Sequence, residues 1–169
     1  IPFIDAAGIE NAMHVITYLH YTGESFDFIA DGVSNLQNLP LRLEVANLSN
    51  NVSLINDAYI NDLTSLKVAL DFALRHQMGR KFIVVLSEIV DSGLPRLQLE
   101  ASLKRLLFTY QVDEIFYLGS EVGDNTFLDV SGFHAFSNYQ DLQSALAHQN
   151  FRDSVILIKG ARKYGLEQL

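Results

Sequence analysis

The apolar positions change their period partway along the chain. Between Asn11 and Tyr21, Ala12, Val15, Ile16 and Leu19 recur at helical spacing, and Thr22-Gly23 supplies a stop. A second helix is predicted over residues 25–36, with Phe26, Ile29, Ala30 and Val33 on one side, before Asn38-Leu39-Pro40 breaks the pattern. From there short apolar runs take over. Leu43-Glu44-Val45-Ala46 and Val52-Ser53-Leu54-Ile55 predict strands joined through the turn-forming Ser49-Asn50-Asn51. Leu66, Ala69, Leu70 and Ala73 predict a helix over residues 63–76, ended by Met78-Gly79-Arg80. Residues 82–86, 114–118 and 155–158 are strand-sized and almost wholly apolar. Residues 95–110 predict a helix with Pro95 in its first turn, and residues 142–147 another. The chain reaches Leu169 in what reads as a further helix.

Apolar strands alternating with helices mean a mainly parallel sheet covered on both faces. The expected class is α/β: a Rossmann-like three-layer domain over residues 41–169, preceded by a short helical remnant, residues 1–40, of another domain. Together with an opening residue, Ile1, that is not methionine, this suggests a piece of a larger protein.

Composition narrows the function classes. Hydrophobic residues make up 49% and charged residues 19%, as in a globular chain. The net charge is -8 and no Lys/Arg stripe is present, which argues against nucleic acid as a partner. There are no cysteines, so disulfides and thiolate metal sites are excluded. No apolar run approaches the roughly 18 residues of a membrane span, so no membrane insertion is expected. His14, His20, His76, His134 and His148 are scattered without ligand spacing, so no metal site is expected. Neither a P-loop nor a Gly-x-Ser-x-Gly elbow occurs, so no catalytic residue is assigned.

Parallel sheets bind ligands at the carboxyl ends of their strands. Four segments lie there: Asn56-Asp57-Ala58-Tyr59, Ser87-Glu88, Gly119-Ser120-Glu121 and Lys159-Gly160-Ala161-Arg162. Asp57 has the chemistry to accept both hydroxyls of a ribose; alternatively Asp57 or Asp62 caps the helix that follows. Lys159, beside a glycine, is suited to approach a phosphate or carboxylate; alternatively it is a solvated lysine before a turn.

Several segments resemble the Mur ligase family, in the family's order. Asn56-Asp57-Ala58-Tyr59-Ile60-Asn61-Asp62-Leu63-Thr64-Ser65-Leu66-Lys67 is similar to Asp-Ser-Tyr-Asn-Ala-Asn-Pro-x-Ser-Met-Lys, and Leu41-Arg42-Leu43-Glu44-Val45 to the Gly-Arg-x-Glu hinge segment. Val85-Leu86-Ser87-Glu88-Ile89-Val90-Asp91-Ser92-Gly93 resembles Val-Leu-Gly-Asp-Met-Leu-Glu-Leu-Gly, and Leu157-Ile158-Lys159-Gly160-Ala161-Arg162 resembles Val-Lys-Gly-Ser-Arg. Ile9-Glu10-Asn11-Ala12-Met13 is similar to the family's His-Asn-x-x-Asn-Ala. Within the family the resemblance is best to the ligases that add D-alanyl-D-alanine to UDP-N-acetylmuramoyl-tripeptide. Ile60-Asn61-Asp62-Leu63 in place of Asn-Ala-Asn-Pro, and Ala7-Gly8 in place of His-Asn, look like the branch fused to an alanine racemase.

The resemblance implies a cytoplasmic, ATP- and Mg2+-dependent amide-forming ligase, with PLP in any fused racemase. Its partners would be UDP-N-acetylmuramoyl-tripeptide, D-alanyl-D-alanine and the rest of the same polypeptide. Residues 1–40 would end the central ATP-binding domain and residues 41–169 would form the C-terminal domain that closes over the nucleotide. Asn11 would contact adenine, Arg42 the nucleotide from the hinge, and Asp57 the ribose, with Lys159 and Tyr59 as contacts in the closed cleft. Ser65 and Lys67 would serve the start of a helix. The competing reading is a stand-alone, flavodoxin-like α/β binding or regulatory module.

Overall fold

The computed structural model describes residues 6–36, 42–90, 92–119 and 132–169. The chain forms two compact units, Ile1–Pro40 and Leu41–Leu169. The break expected at Asn38-Leu39-Pro40 lies outside the described residues.

The first unit pairs α1 (Ala6–Tyr21) with α2 (Phe26–Ser34). The Ser25 hydroxyl caps α2 by accepting the Phe28 N–H at 3.2 Å, one of the donors a helix start leaves unpaired. α1 begins at Ala6, before the expected Asn11, because alanines favour helix without adding to the apolar stripe. Two helices bury little. Ala12 and Ile29 are covered, while Met13, Val15, Tyr18, Phe26 and Phe28 are exposed and Tyr21 keeps 88% of its surface.

The second unit begins with β1 (Glu44–Leu48) and β2 (Val52–Asp57), then α3 (Leu63–Gln77), β3 (Lys81–Ser87), α4 (Arg96–Thr109) and β4 (Glu114–Leu118). β5 (Phe133–Phe136), α5 (Tyr139–Ala147), β6 (Ser154–Lys159) and two 3-10 turns, Arg162–Tyr164 and Leu166–Gln168, complete it. Among the described residues the strands form one six-stranded sheet in the order β1-β2-β6-β3-β4-β5. Only the edge pair β1–β2 is antiparallel; the other four pairings are parallel.

Alternation along the central strands supplies both cores. Phe82, Val84 and Leu86 of β3, with Val155 and Leu157 of β6, face Leu66, Leu70 and Ala73 of α3 and Leu103 and Leu107 of α4. Ile83 and Val85, with Ile156 and Ile158, face Leu142 of α5 and Leu166 of the last turn. The result is the three-layer α/β arrangement expected from the apolar runs.

The structure corrects several details. β1 starts at Glu44 because Leu43 has φ 51°, the left-handed region a leucine rarely adopts. Pro95 stands at the N-cap of α4 and not inside it. The segment before Leu169 is a 3-10 turn rather than an α-helix. β5 was not expected at all: four residues are too few to show a period.

Candidate functional site

The carboxyl ends of β2, β6 and β3 lie side by side. Asp57 is in register with Lys159, and Lys159 with Leu86, so the first two project from the same face of neighbouring strands. Lys159 Nζ donates to Asp57 Oδ2 at 2.6 Å. Lys159 is 1% exposed and Asp57 9%. Lys159 is therefore not a solvated lysine at a flexible tip; it is the buried half of an ion pair.

The same carboxylate accepts the backbone N–H of Leu43, where the chain enters β1. Asp57 thus joins β2, β6 and the left-handed turn ahead of β1. Burial pushes its carboxyl above the ordinary aspartate range, against the pull of Lys159, the Leu43 N–H and Arg42. Burial likewise brings Lys159 below the ordinary lysine range, against Asp57 and Asp62. Desolvation outweighs attraction on both sides of the pair.

Asp57 does not cap α3. Asp62 does: its carboxylate accepts the Ser65 N–H at 2.8 Å, and the Ser65 hydroxyl accepts the Asp62 N–H at 3.2 Å. This capping box gives Ser65 the structural role expected of it, and Lys67 pairs with Asp71 one turn on, at 2.9 Å. Burial alone would raise the Asp62 carboxyl; the Ser65 N–H and hydroxyl, the Thr64 N–H and the Lys159 charge hold it below the ordinary range.

Ser87, wholly buried at the end of β3, knits the edge together. Asn61 Nδ2 donates to the Ser87 carbonyl at 2.6 Å, and the Ala161 N–H donates to the Ser87 hydroxyl at 2.9 Å. Glu88 accepts the Tyr164 hydroxyl at 2.6 Å; burial and this carboxylate push the Tyr164 phenol well up. Gly160 has an ordinary φ, but a Cβ there would lie 2.8 Å from Leu166 Cδ1. The glycine serves close packing of the final turn and not flexibility.

The exposed rim of the edge is cationic and aromatic. The Arg42 guanidinium lies 5.2 Å from the Tyr59 ring centroid, and that of Arg162 lies 5.8 Å from it. Both arginines and Tyr59 are exposed. Arg42, Asp57, Tyr59 and Lys159 are thus brought together, whereas Asn11 belongs to the first unit, exposed on α1. Ser120 and Glu121 lie outside the described residues. Sequence reasoning gave no role to Arg162, Asn61 or Leu43. Arg162 stood in a quoted motif, but its approach to Tyr59 depends on a contact across the sheet edge. Among the described residues no group of three or more His, Asp or Glu side chains could hold a metal ion, and no helix is long and apolar enough to cross a membrane.

No family model matches the chain. It is 24% identical over 174 residues to the UDP-N-acetylmuramoyl-tripeptide–D-alanyl-D-alanine ligase of Bacillus subtilis strain 168, covering all of this chain and 38% of that protein. Among solved structures it is similar to MurF from Acinetobacter baumannii, with TM-score 0.79 and 22% identity over 99% of this chain and 38% of that one. It is also similar to MurF ligase from Thermotoga maritima in complex with ADP, with TM-score 0.66 and 17% identity over 90% of this chain and 34% of that one. The chain therefore spans little more than a third of the length of these relatives, and its second unit has the fold of the Mur ligase C-terminal domain.

Proposed function

We propose that this chain is the C-terminal portion of an ATP-dependent ligase of peptidoglycan precursor synthesis, which joins D-alanyl-D-alanine to UDP-N-acetylmuramoyl-tripeptide. The observation that carries the reading is likeness to such a ligase along the whole chain, with the motif residues Arg42, Asp57, Tyr59 and Lys159 gathered at one strand-end edge. Residues 1–40 are the end of a central ATP-binding domain. The apolar side chains they leave uncovered support that assignment, since surfaces of this kind are normally covered by more protein.

In this reading the chemistry is amide formation: ATP phosphorylates the substrate carboxylate, and the incoming amine displaces phosphate. The donors here do not fit the triphosphate and its Mg2+, which belong to the rest of the polypeptide. Asn11 takes the adenine, Arg42 reaches the nucleotide, and Asp57 takes the ribose. Lys159 acts through Asp57, whose carboxylate it holds in place. Closure of the second unit keeps water from the acyl phosphate and aligns the amine.

The test is the full reading frame. Purified, it should release phosphate and form the muramoyl pentapeptide only when ATP, the UDP-tripeptide and D-alanyl-D-alanine are all present, whereas the 169 residues alone should release none. Absence of a Gly-x-x-x-x-Gly-Lys-Ser/Thr segment upstream, or of product, would return the chain to the class of stand-alone α/β binding modules. The same reading frame decides whether a PLP-dependent alanine racemase follows, a fusion that the departures at Ile60-Asn61-Asp62-Leu63 support.

A further inference from the structure

We propose that the outer face of α4 is a self-association surface, through which two copies of the chain pair antiparallel about a twofold axis between Ser102 and Leu103. The proposal does not depend on the ligase reading. α4 is apolar on two sides. Leu103 and Leu107 are buried, with Leu99 and Leu106 packed beside them against the core. On the other side Leu97 keeps 79% and Phe108 84% of its surface. A helix that is apolar all round is normally covered all round. Leu97, Ala101, Lys104 and Phe108 recur four, three and four residues apart, the spacing of a coiled-coil seam. That spacing reads the same in both directions, so an antiparallel second copy presents a matching stripe.

In the register this spacing sets, Leu97 of one copy meets Phe108 of the other, and Ala101 meets Lys104. Phe108 borders a groove of about 1000 Å³, lined also by Ala101, Leu107 and Val112, which gives the incoming leucine an apolar seat. Ala101 is the small residue near the middle; it lets the helices approach and leaves room for the aliphatic stem of Lys104. Charge then fixes the orientation. Among the described residues Lys104 forms no ion pair. Arg96 Nε engages one Glu100 oxygen, at 2.8 Å. Glu100 precedes Lys104 by one helical turn on the same flank of the seam, so in the antiparallel register each Lys104 ammonium is offered the Glu100 of the other copy. A parallel register would set Lys104 against Lys104. The contact is isologous and closes at two copies. A polar seam residue specifies register at a cost in affinity, and a helix of 14 residues is only about 21 Å long, so the pair is a transient one.

The test is sedimentation velocity of the whole chain over a range of concentrations, with circular dichroism to show that each variant is folded. The unsubstituted chain should pass from monomer to dimer as the concentration rises. Phe108→Glu should weaken the dimer about 10-fold or more, the loss of an apolar anchor. Tyr21→Glu, at an equally exposed aromatic of α1, should leave the dimer unchanged. Lys104→Glu and Glu100→Lys should each be monomeric alone, since each sets like charges face to face, and should form a dimer when mixed. A chain that stays monomeric at every concentration would overturn the proposal, and so would a mixture of the two charge variants that does not associate. Loss of the dimer in Tyr21→Glu but not in Phe108→Glu would move the association to the first unit and overturn it as well.

Discussion

Lys159 and Asp57 meet at 2.6 Å at the carboxyl end of two neighbouring strands, and neither has access to bulk water sufficient to solvate its charge. Each is therefore the other's solvent. A ribose reaching Asp57 would find a carboxylate that already holds Lys159 and the Leu43 N–H, so ligand and fold share one group.

The first prediction follows from that sharing. Asp57→Ala strands a buried ammonium and should lower stability by about 3–5 kcal/mol, and Lys159→Met should do comparable damage. The two together should cost clearly less than the sum, since no charge is left alone. Urea denaturation of the four proteins measures the coupling; strict additivity would mean that the pair is not an energetic unit. A raised KM for ATP in Asp57→Ala is thus expected alongside a lowered melting point, not in place of it.

Acid should act on the cap of α3. The Asp62 carboxyl is held below its ordinary value of 3.8, so its contribution is present above that pH and is lost as the pH falls through the folded-state value. Asp62→Ala should cost about 0.5–2 kcal/mol at neutral pH. The difference between the two proteins should shrink once the pH is taken below 3.8. Denaturation midpoints of the two proteins followed against pH check the sign.

Ser87→Ala should cost about 1–3 kcal/mol, because the Ala161 N–H loses its acceptor while Asn61 keeps the carbonyl of the same residue. The loss is local, so hydrogen exchange at the Ala161 amide should accelerate more than at the centre of β3. Equal protection in both proteins would mean that water replaces the hydroxyl without loss.

Gly160→Ala should destabilise by about 1–3 kcal/mol through overlap with Leu166. Leu166→Ala alone should also destabilise, since Leu166 is fully buried. In the double variant the added methyl occupies space that the leucine vacates, so adding Gly160→Ala to Leu166→Ala should change little. Calorimetric melts of the three variants decide this.

The layers were legible in the sequence because central strands such as residues 82–86 and 155–158 must be apolar on both faces, and that pattern needs no knowledge of partners. The helices were legible from their stripes, although α1 ran earlier than its stripe because alanine carries no face. The site was only half legible. Asp57 and Lys159 could be placed at strand ends, but their bond depends on β2 and β6, a hundred residues apart, becoming neighbours in register. Arg162 escaped for the same reason: its ring contact crosses from one strand end to another. Asp62, not Asp57, proved to be the cap, because spacing to Ser65 decides capping and both aspartates precede the helix.

The last strand in the chain is an interior strand of the sheet. β6 lies between β2 and β3, so before it pairs the other strands can form no more than two separate halves, β1-β2 and β3-β4-β5. Each half carries an unpaired apolar edge until residues 154–159 emerge. Pairings at such sequence separation are slow to form, and open edges in the meantime invite association between chains. A nascent chain stopped short of β6 would therefore be more than an unfinished copy: it would be two sticky half-sheets.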